Sequence, residues 1–200
     1  LEIYIKKDIK ELIFIINGKP RSGKDTFSDN IKPILRSLNS DDTGIYFENL
    51  STIDQIKCIA KKCFGWDGIK DEKGRRLLAD LKDASRRYNE GPFNYILENR
   101  QIFKLDDINL KNKYLFVTVV HSREPSEIKM FKDYFGDICY TVLVRRDLKE
   151  NSEENLSNHA DKNVENYDYD IVIDNNGTLE EYEKKCIDVI REKLIEIGFV

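Results

Sequence analysis

The chain has 200 residues, 40% apolar and 35% charged, with a net charge of −4; this is a globular balance with room for one domain and a full core. The small acid excess speaks against a nucleic-acid partner, which favours a basic surface, and no apolar run approaches the roughly 20 residues needed to cross a bilayer. The first residues alternate charged and apolar side chains too often for a secretory segment, so a soluble, cytoplasmic protein is expected.

"ELIFIIN" (11–17) is a short apolar run without clean alternation, as expected of a parallel strand buried on both faces. A glycine-rich turn follows. "DTFSDNIKPILRSL" (25–38) then places Phe27, Ile31, Ile34, Leu35 and Leu38 at helical spacing, with Pro33 the awkward member. "GIYFENL" (44–50) predicts a second strand, and 52–65 a helix closed by Gly65. Residues 71–100 read as two helices split at Asn89-Glu90-Gly91-Pro92. "KYLFVTVVHS" (113–122) is the strongest central strand; a helix over 126–135, a strand over 137–146, a last strand over 169–177 and an amphipathic helix over 179–198 complete the order. Alternating strands and helices predict a three-layer α/β fold, a parallel sheet of about five strands with ligands at the strands' carboxyl ends. The polar stretch 147–166 reads as a lid or a surface loop. Cys58, Cys63, Cys139 and Cys186 show no metal or disulfide spacing and are expected as reduced, mostly buried thiols.

Gly18-Lys19-Pro20-Arg21-Ser22-Gly23-Lys24 fits GxxxxGK, and it lies between a predicted buried strand and a predicted helix, the context that pattern needs. Glycines let backbone N–H groups converge on a polyphosphate, the helix N-terminus adds its dipole, and Lys24 reaches the outer oxygens. The residue after the lysine is usually a Ser or Thr that meets Mg²⁺; here it is Asp25, with Thr26 next. A carboxylate there either holds hydrated Mg²⁺ through water or only opens the helix.

"NGKPRSGKDTF" resembles the start of P-loop kinases that act on small phosphorylated acceptors: phage-type deoxynucleoside monophosphate kinases, phosphomevalonate kinases and, at the last strand, dephospho-coenzyme A kinases. "LSTIDQIK" (50–57) is similar to their acceptor segment, "HSREPSEI" (121–128) to their strand-end segment, and "YDIVIDNNGTLEE" (169–181) to their terminal strand and turn. The resemblance implies a P-loop NTPase fold with an acceptor flap over about 51–100, a lid over about 145–166, ATP and Mg²⁺ as donor and metal, and a (deoxy)nucleoside monophosphate or similar acceptor. It implies phosphate contacts from Gly18, Lys19, Arg21, Ser22, Gly23, Lys24, Asp25 and Thr26, acceptor contacts from Lys57 and Arg123, and adenine contacts from the Asn175-Asn176-Gly177 turn. Where the family has a strand-end Asp this chain has His121, so Glu124 or Asp25 is left to face the metal.

Phosphoryl transfer also needs cations around the migrating group. Arg123, directly after the central strand, suits an acceptor phosphate or a structural carboxylate. By the resemblance, Arg145 or Arg146 serves as the lid cation; either is otherwise a solvated charge. Arg75, Lys82 and Arg86 fall on one helical face with Leu77, Leu78 and Leu81 turned to the core, a face that either meets the acceptor or is only solvated. His121 is catalytic or a hydrogen-bonded structural histidine, and Tyr88, Phe93 and Tyr95 either stack a base or pack.

Overall fold

The computed structural model describes residues 8–103, 112–147 and 164–200. Five parallel strands form one sheet in the order β2-β3-β1-β4-β5, with β1 Asp8–Asn17, β2 Thr43–Ser51, β3 Lys113–His121, β4 Cys139–Arg145 and β5 Ile171–Asp174. The helices are α1 Lys24–Ser37, α2 Asp54–Phe64, α3 Glu72–Asn89, α4 Gly91–Asn99, α5 Pro125–Phe135 and α6 Leu179–Glu196. This is the α/β layering that the alternation of elements predicts.

The apolar run of β1 has no alternation because both its faces are covered. Leu12, Phe14 and Ile16 pack with Phe27, Ile31 and Leu35 of α1 and with Tyr182, Cys186, Ile190 and Leu194 of α6. Ile13 and Ile15 turn the other way, to Ile96 of α4 and to Ile128 and Phe131 of α5. The Phe14 and Phe27 rings meet edge to face at 5.9 Å. Helix α1 runs through Pro33, which lies on its exposed face, where water can satisfy the carbonyl that loses its partner. A third, smaller cluster joins Ile56 and Ala60 of α2 to Leu78 of α3, so the expected flap carries a core of its own.

Several expected boundaries move. β1 begins at Asp8, β4 begins at Cys139 after a 3-10 turn over Gly136–Ile138, and β5 is only four residues long. The break between α3 and α4 falls at Glu90, whose φ of 53° caps one helix and opens the next, with Pro92 in the first turn beyond it. The expectation for the thiols holds for half of them: Cys139 and Cys186 are buried, whereas Cys58 and Cys63 are exposed on α2. No described helix is long and apolar enough to cross a membrane. Most of the expected lid, with Leu148 through Asn163, lies outside the described residues.

Strand order sets the site. From β1 the chain passes over β3 to the sheet edge at β2, and from β3 it passes over β1 to β4. The carboxyl ends of β3, β1 and β4 therefore lie side by side where the connections part, and such a crevice is where open α/β sheets take ligands.

Candidate active site

The loop after β1 is built around two close approaches. Gly18 has φ 152°, and a side chain there would run into the Val144 carbonyl of β4. Gly23 has φ 106°, and a Cβ would lie 2.5 Å from the Asn175 amide and 3.2 Å from the Tyr182 ring. Between them Arg21 takes the left-handed region at φ 62°, unusual for a residue with a side chain. Ser22 N–H bonds to the Lys19 carbonyl at 3.2 Å, and Phe27 N–H to that of Gly23 at 3.0 Å as α1 begins. The Lys24 ammonium turns into the loop and donates to the Gly18 and Lys19 carbonyls at 2.6 and 2.7 Å. The Ser22 hydroxyl is buried among these groups and has no hydrogen-bond partner among the described residues.

The loop is braced from behind by residues far along the chain. Asn175 donates to the Ser22 carbonyl at 2.8 Å and the Tyr182 hydroxyl to that of Gly23 at 2.9 Å. Gly18 N–H is received by the Asn17 side chain at 2.8 Å. Lys19 pairs with Glu165 at 3.1 Å. Asn175, named by resemblance for adenine, is buried and its amide is committed to the loop. Asn176 exchanges two 2.8 Å bonds with Asp147, and Gly177 precedes the Thr178–Glu181 capping box of α6.

At the end of β3, His121 pairs in register with both Ile16 and Ser51. Its Nε2 lies 2.9 Å from Asn49 Oδ1, and its Nδ1 faces Asp25 Oδ1 at 3.8 Å. Burial holds this imidazole below the usual histidine pKa, opposed by the Asp25 charge and reinforced by that of Lys24. Asp25 is 93% exposed on the first turn of α1, beside the loop. Lys57, an expected acceptor contact, pairs with Asp54 at 2.9 Å, and Asp54 also receives Ser51 N–H at 3.0 Å. A carboxylate free to solvent beside the glycine loop is of the type that could hold a metal through its water shell. Among the described residues no group of three or more His, Cys, Asp or Glu side chains converges as a metal site, and Glu124 stands at the start of α5.

The other cations separate into two groups. Arg123 is exposed just beyond β3, and its carbonyl accepts from Asn17 at 3.1 Å. Lys82 of α3 reaches α5 instead, where its ammonium sits 2.9 Å from Glu127 Oε1, a carboxylate 3% exposed that also takes the Ser122 hydroxyl at 2.8 Å. Arg86 donates to Ser126 at 2.8 Å, and Arg75 to the Lys70 carbonyl at 2.9 Å. Arg145 is paired with Asp174 across β4 and β5 at 2.7 Å; Arg146 is exposed beside Asp147. Thus Lys82 and Arg86 dock α3 beside the strand end that carries Arg123, while Arg75 lies at the far end of that helix. Asn17, Tyr169, Tyr182 and Glu127 belong to the site's framework and had no local signal in the sequence.

No family model matches the chain, and no curated protein matches it in sequence. Among solved structures, a mutant APS kinase of Mycobacterium tuberculosis is similar at 10% identity and a TM-score of 0.40, over 91% of this chain and 98% of that one. The shikimate kinase of Aquifex aeolicus is similar at 15% identity and a TM-score of 0.44, over 92% and 99%. Likeness at this distance carries no argument about the site, which rests on the geometry above.

Proposed function

We propose that this chain is an ATP-dependent phosphotransferase that moves the γ-phosphoryl group to a small phosphorylated acceptor, a (deoxy)nucleoside monophosphate first among them. The observation that carries the proposal is the loop 18–24 at the carboxyl end of the central strand, closed by two glycines, backed by the N-terminus of α1, with the Lys24 ammonium directed inward and, inside it, a Ser22 hydroxyl without a partner among the described residues. Lys24 would exchange its two carbonyls for phosphate oxygens, and the α1 dipole would favour their charge. Arg123, exposed across the crevice, would meet the acceptor's phosphate. Magnesium would supply charge neutralisation at the donor phosphates, and Asp25 would hold it through its water shell. Dephospho-coenzyme A and phosphomevalonate are the next acceptors on the same chemistry.

The test is ADP formation from ATP and Mg²⁺ against a panel of nucleoside monophosphates, dephospho-coenzyme A and phosphomevalonate, with an acceptor-free control. Stimulation by one acceptor is expected, and Lys24→Ala should cut that rate by about 100-fold or more while the fold survives. A fully active Lys24→Ala variant would refute the loop's role. A second reading, a nucleotide-binding sensor without useful turnover, is favoured by one observation: His121 stands at the strand end where the resembled kinases carry an acid. Tight ATP binding with no stimulation by any acceptor would select it.

A further inference from the structure

Asn17 is the last residue of β1, with no exposed surface, and three separate segments converge on its amide. Its Oδ1 receives Gly18 N–H at 2.8 Å. Its Nδ2 donates to the Arg123 carbonyl at 3.1 Å and to the Tyr169 hydroxyl at 2.7 Å, groups 106 and 152 residues away. The amide orientation is fixed by chemistry, since an N–H can only be met by the oxygen and a carbonyl only by the nitrogen. Tyr169 in turn donates to the Val164 carbonyl at 2.7 Å, and burial pushes its phenol up to about 12, so the proton stays in place.

Tyr169 is itself anchored. The next residue, Asp170, receives both the N–H and the hydroxyl of Thr141 on β4, at 2.8 and 2.9 Å, and pairs with Lys132 of α5 at 2.9 Å. The Tyr167 and Tyr169 rings lie 5.1 Å apart. The phenol oxygen is therefore held against the sheet, and Asn17 spans from it to the glycine loop and to the backbone of Arg123. No other residue of this size offers one acceptor and two donors in a plane. An aspartate would set an oxygen against the Arg123 carbonyl, and a leucine would remove all three bonds at once, to the Gly18 N–H, the Arg123 carbonyl and the Tyr169 hydroxyl.

We propose that Asn17 is a positioning residue, which with Tyr169 sets the separation between the loop that takes the donor phosphates and the Arg123 segment that meets the acceptor. The inference rests on the kinase reading for its effect on turnover, and on the hydrogen bonds alone for the tie between the two segments. Phosphoryl transfer is chiefly alignment, so this side chain acts on the reaction without touching it.

Tyr169→Phe keeps the ring and removes one hydroxyl. It should raise the acceptor KM by about tenfold and leave the ATP KM within about twofold, because the loop retains its own braces. Asn17→Asp should lower kcat by about 100-fold. Asn17→Ala combined with Tyr169→Phe should be no worse than Asn17→Ala alone, since both act through one chain of bonds. Unchanged acceptor kinetics in Tyr169→Phe, equal shifts of both KM values, or additive losses in the double variant would each overturn the proposal. Amide exchange is the second arm and needs no turnover: Tyr169→Phe should speed exchange in 121–124 and at Gly18 together. If the wild-type chain phosphorylates nothing, the kinase reading fails, and this arm still decides the tie, since unchanged exchange in both segments excludes it.

Discussion

Tyr182 reaches the loop from α6 through its hydroxyl, so Tyr182→Phe removes that bond, together with the hydroxyl's contact with the Cys186 thiol, while the buried ring stays in the core. We expect about 1 kcal/mol less stability by denaturant midpoint, with weaker nucleotide binding in a direct titration; unchanged binding would mean that Gly23 holds its place without the brace. His121 gives the pH dependence. Its folded pKa is depressed by burial among Asp25 and Lys24 of α1, Asp54 and Lys57 of α2 and Asn49 of β2. The neutral form is the one that folding favours. Its contribution is therefore complete above the ordinary histidine value of about 6.5 and is lost as pH falls through the lower folded value. His121→Gln should flatten that part of the acid-stability curve, and an unaltered curve would remove His121 as its source. The spacing of Gly18, Gly23 and Lys24 was legible because that chemistry is local. Asn175 and Tyr182 were not legible as its supports, since each works through a partner more than a hundred positions distant, and neither was Asn17, whose bond to Gly18 is local but whose anchors at Arg123 and Tyr169 lie 106 and 152 positions away.

Helix α3 illustrates the same divide among elements. Its amphipathic spacing and its break at Glu90 could be read from the chain, but not the destination of its basic face, because α5 enters the sequence 36 positions after α3 ends. Two of those cations turn out to hold α3 against the first turn of α5. Lys82→Met should cost about 3 kcal/mol, since it strands the buried Glu127 carboxylate without its cation. Adding Glu127→Gln should restore much of the loss, and thermal unfolding of the single and double variants checks this. If Lys82→Met is neutral, the pair is not what docks α3. The same variant should loosen acceptor use more than ATP use, because Ser122 and Arg123 border the Glu127 site.

For the molecule as a whole, the order β2-β3-β1-β4-β5 makes β1 the shared wall of both main clusters. Phe14→Ala opens one side and Ile15→Ala the other, at expected losses of about 3–5 and 2–5 kcal/mol. Because one strand carries both, each variant should still unfold in a single transition, with coincident circular dichroism and fluorescence traces. Separate transitions would divide the layers into independent units. The layering was legible from periodicity alone. Strand order was not, since nothing in a parallel strand's sequence names its neighbours.

The inward turn of Lys24 has a consequence for anion selectivity. An ammonium that donates to two carbonyls of its own loop is already partly solvated by the protein, so an incoming anion gains less from it than from a lysine in water. A lone chloride is a single acceptor and a lone phosphate offers few oxygens, whereas a polyphosphate could occupy the lysine, the Ser22 hydroxyl and the loop N–H groups at once. On the proposed reading the loop thus competes with its own ligands, and a polyphosphate should prevail where the abundant small anions of a salt solution do not.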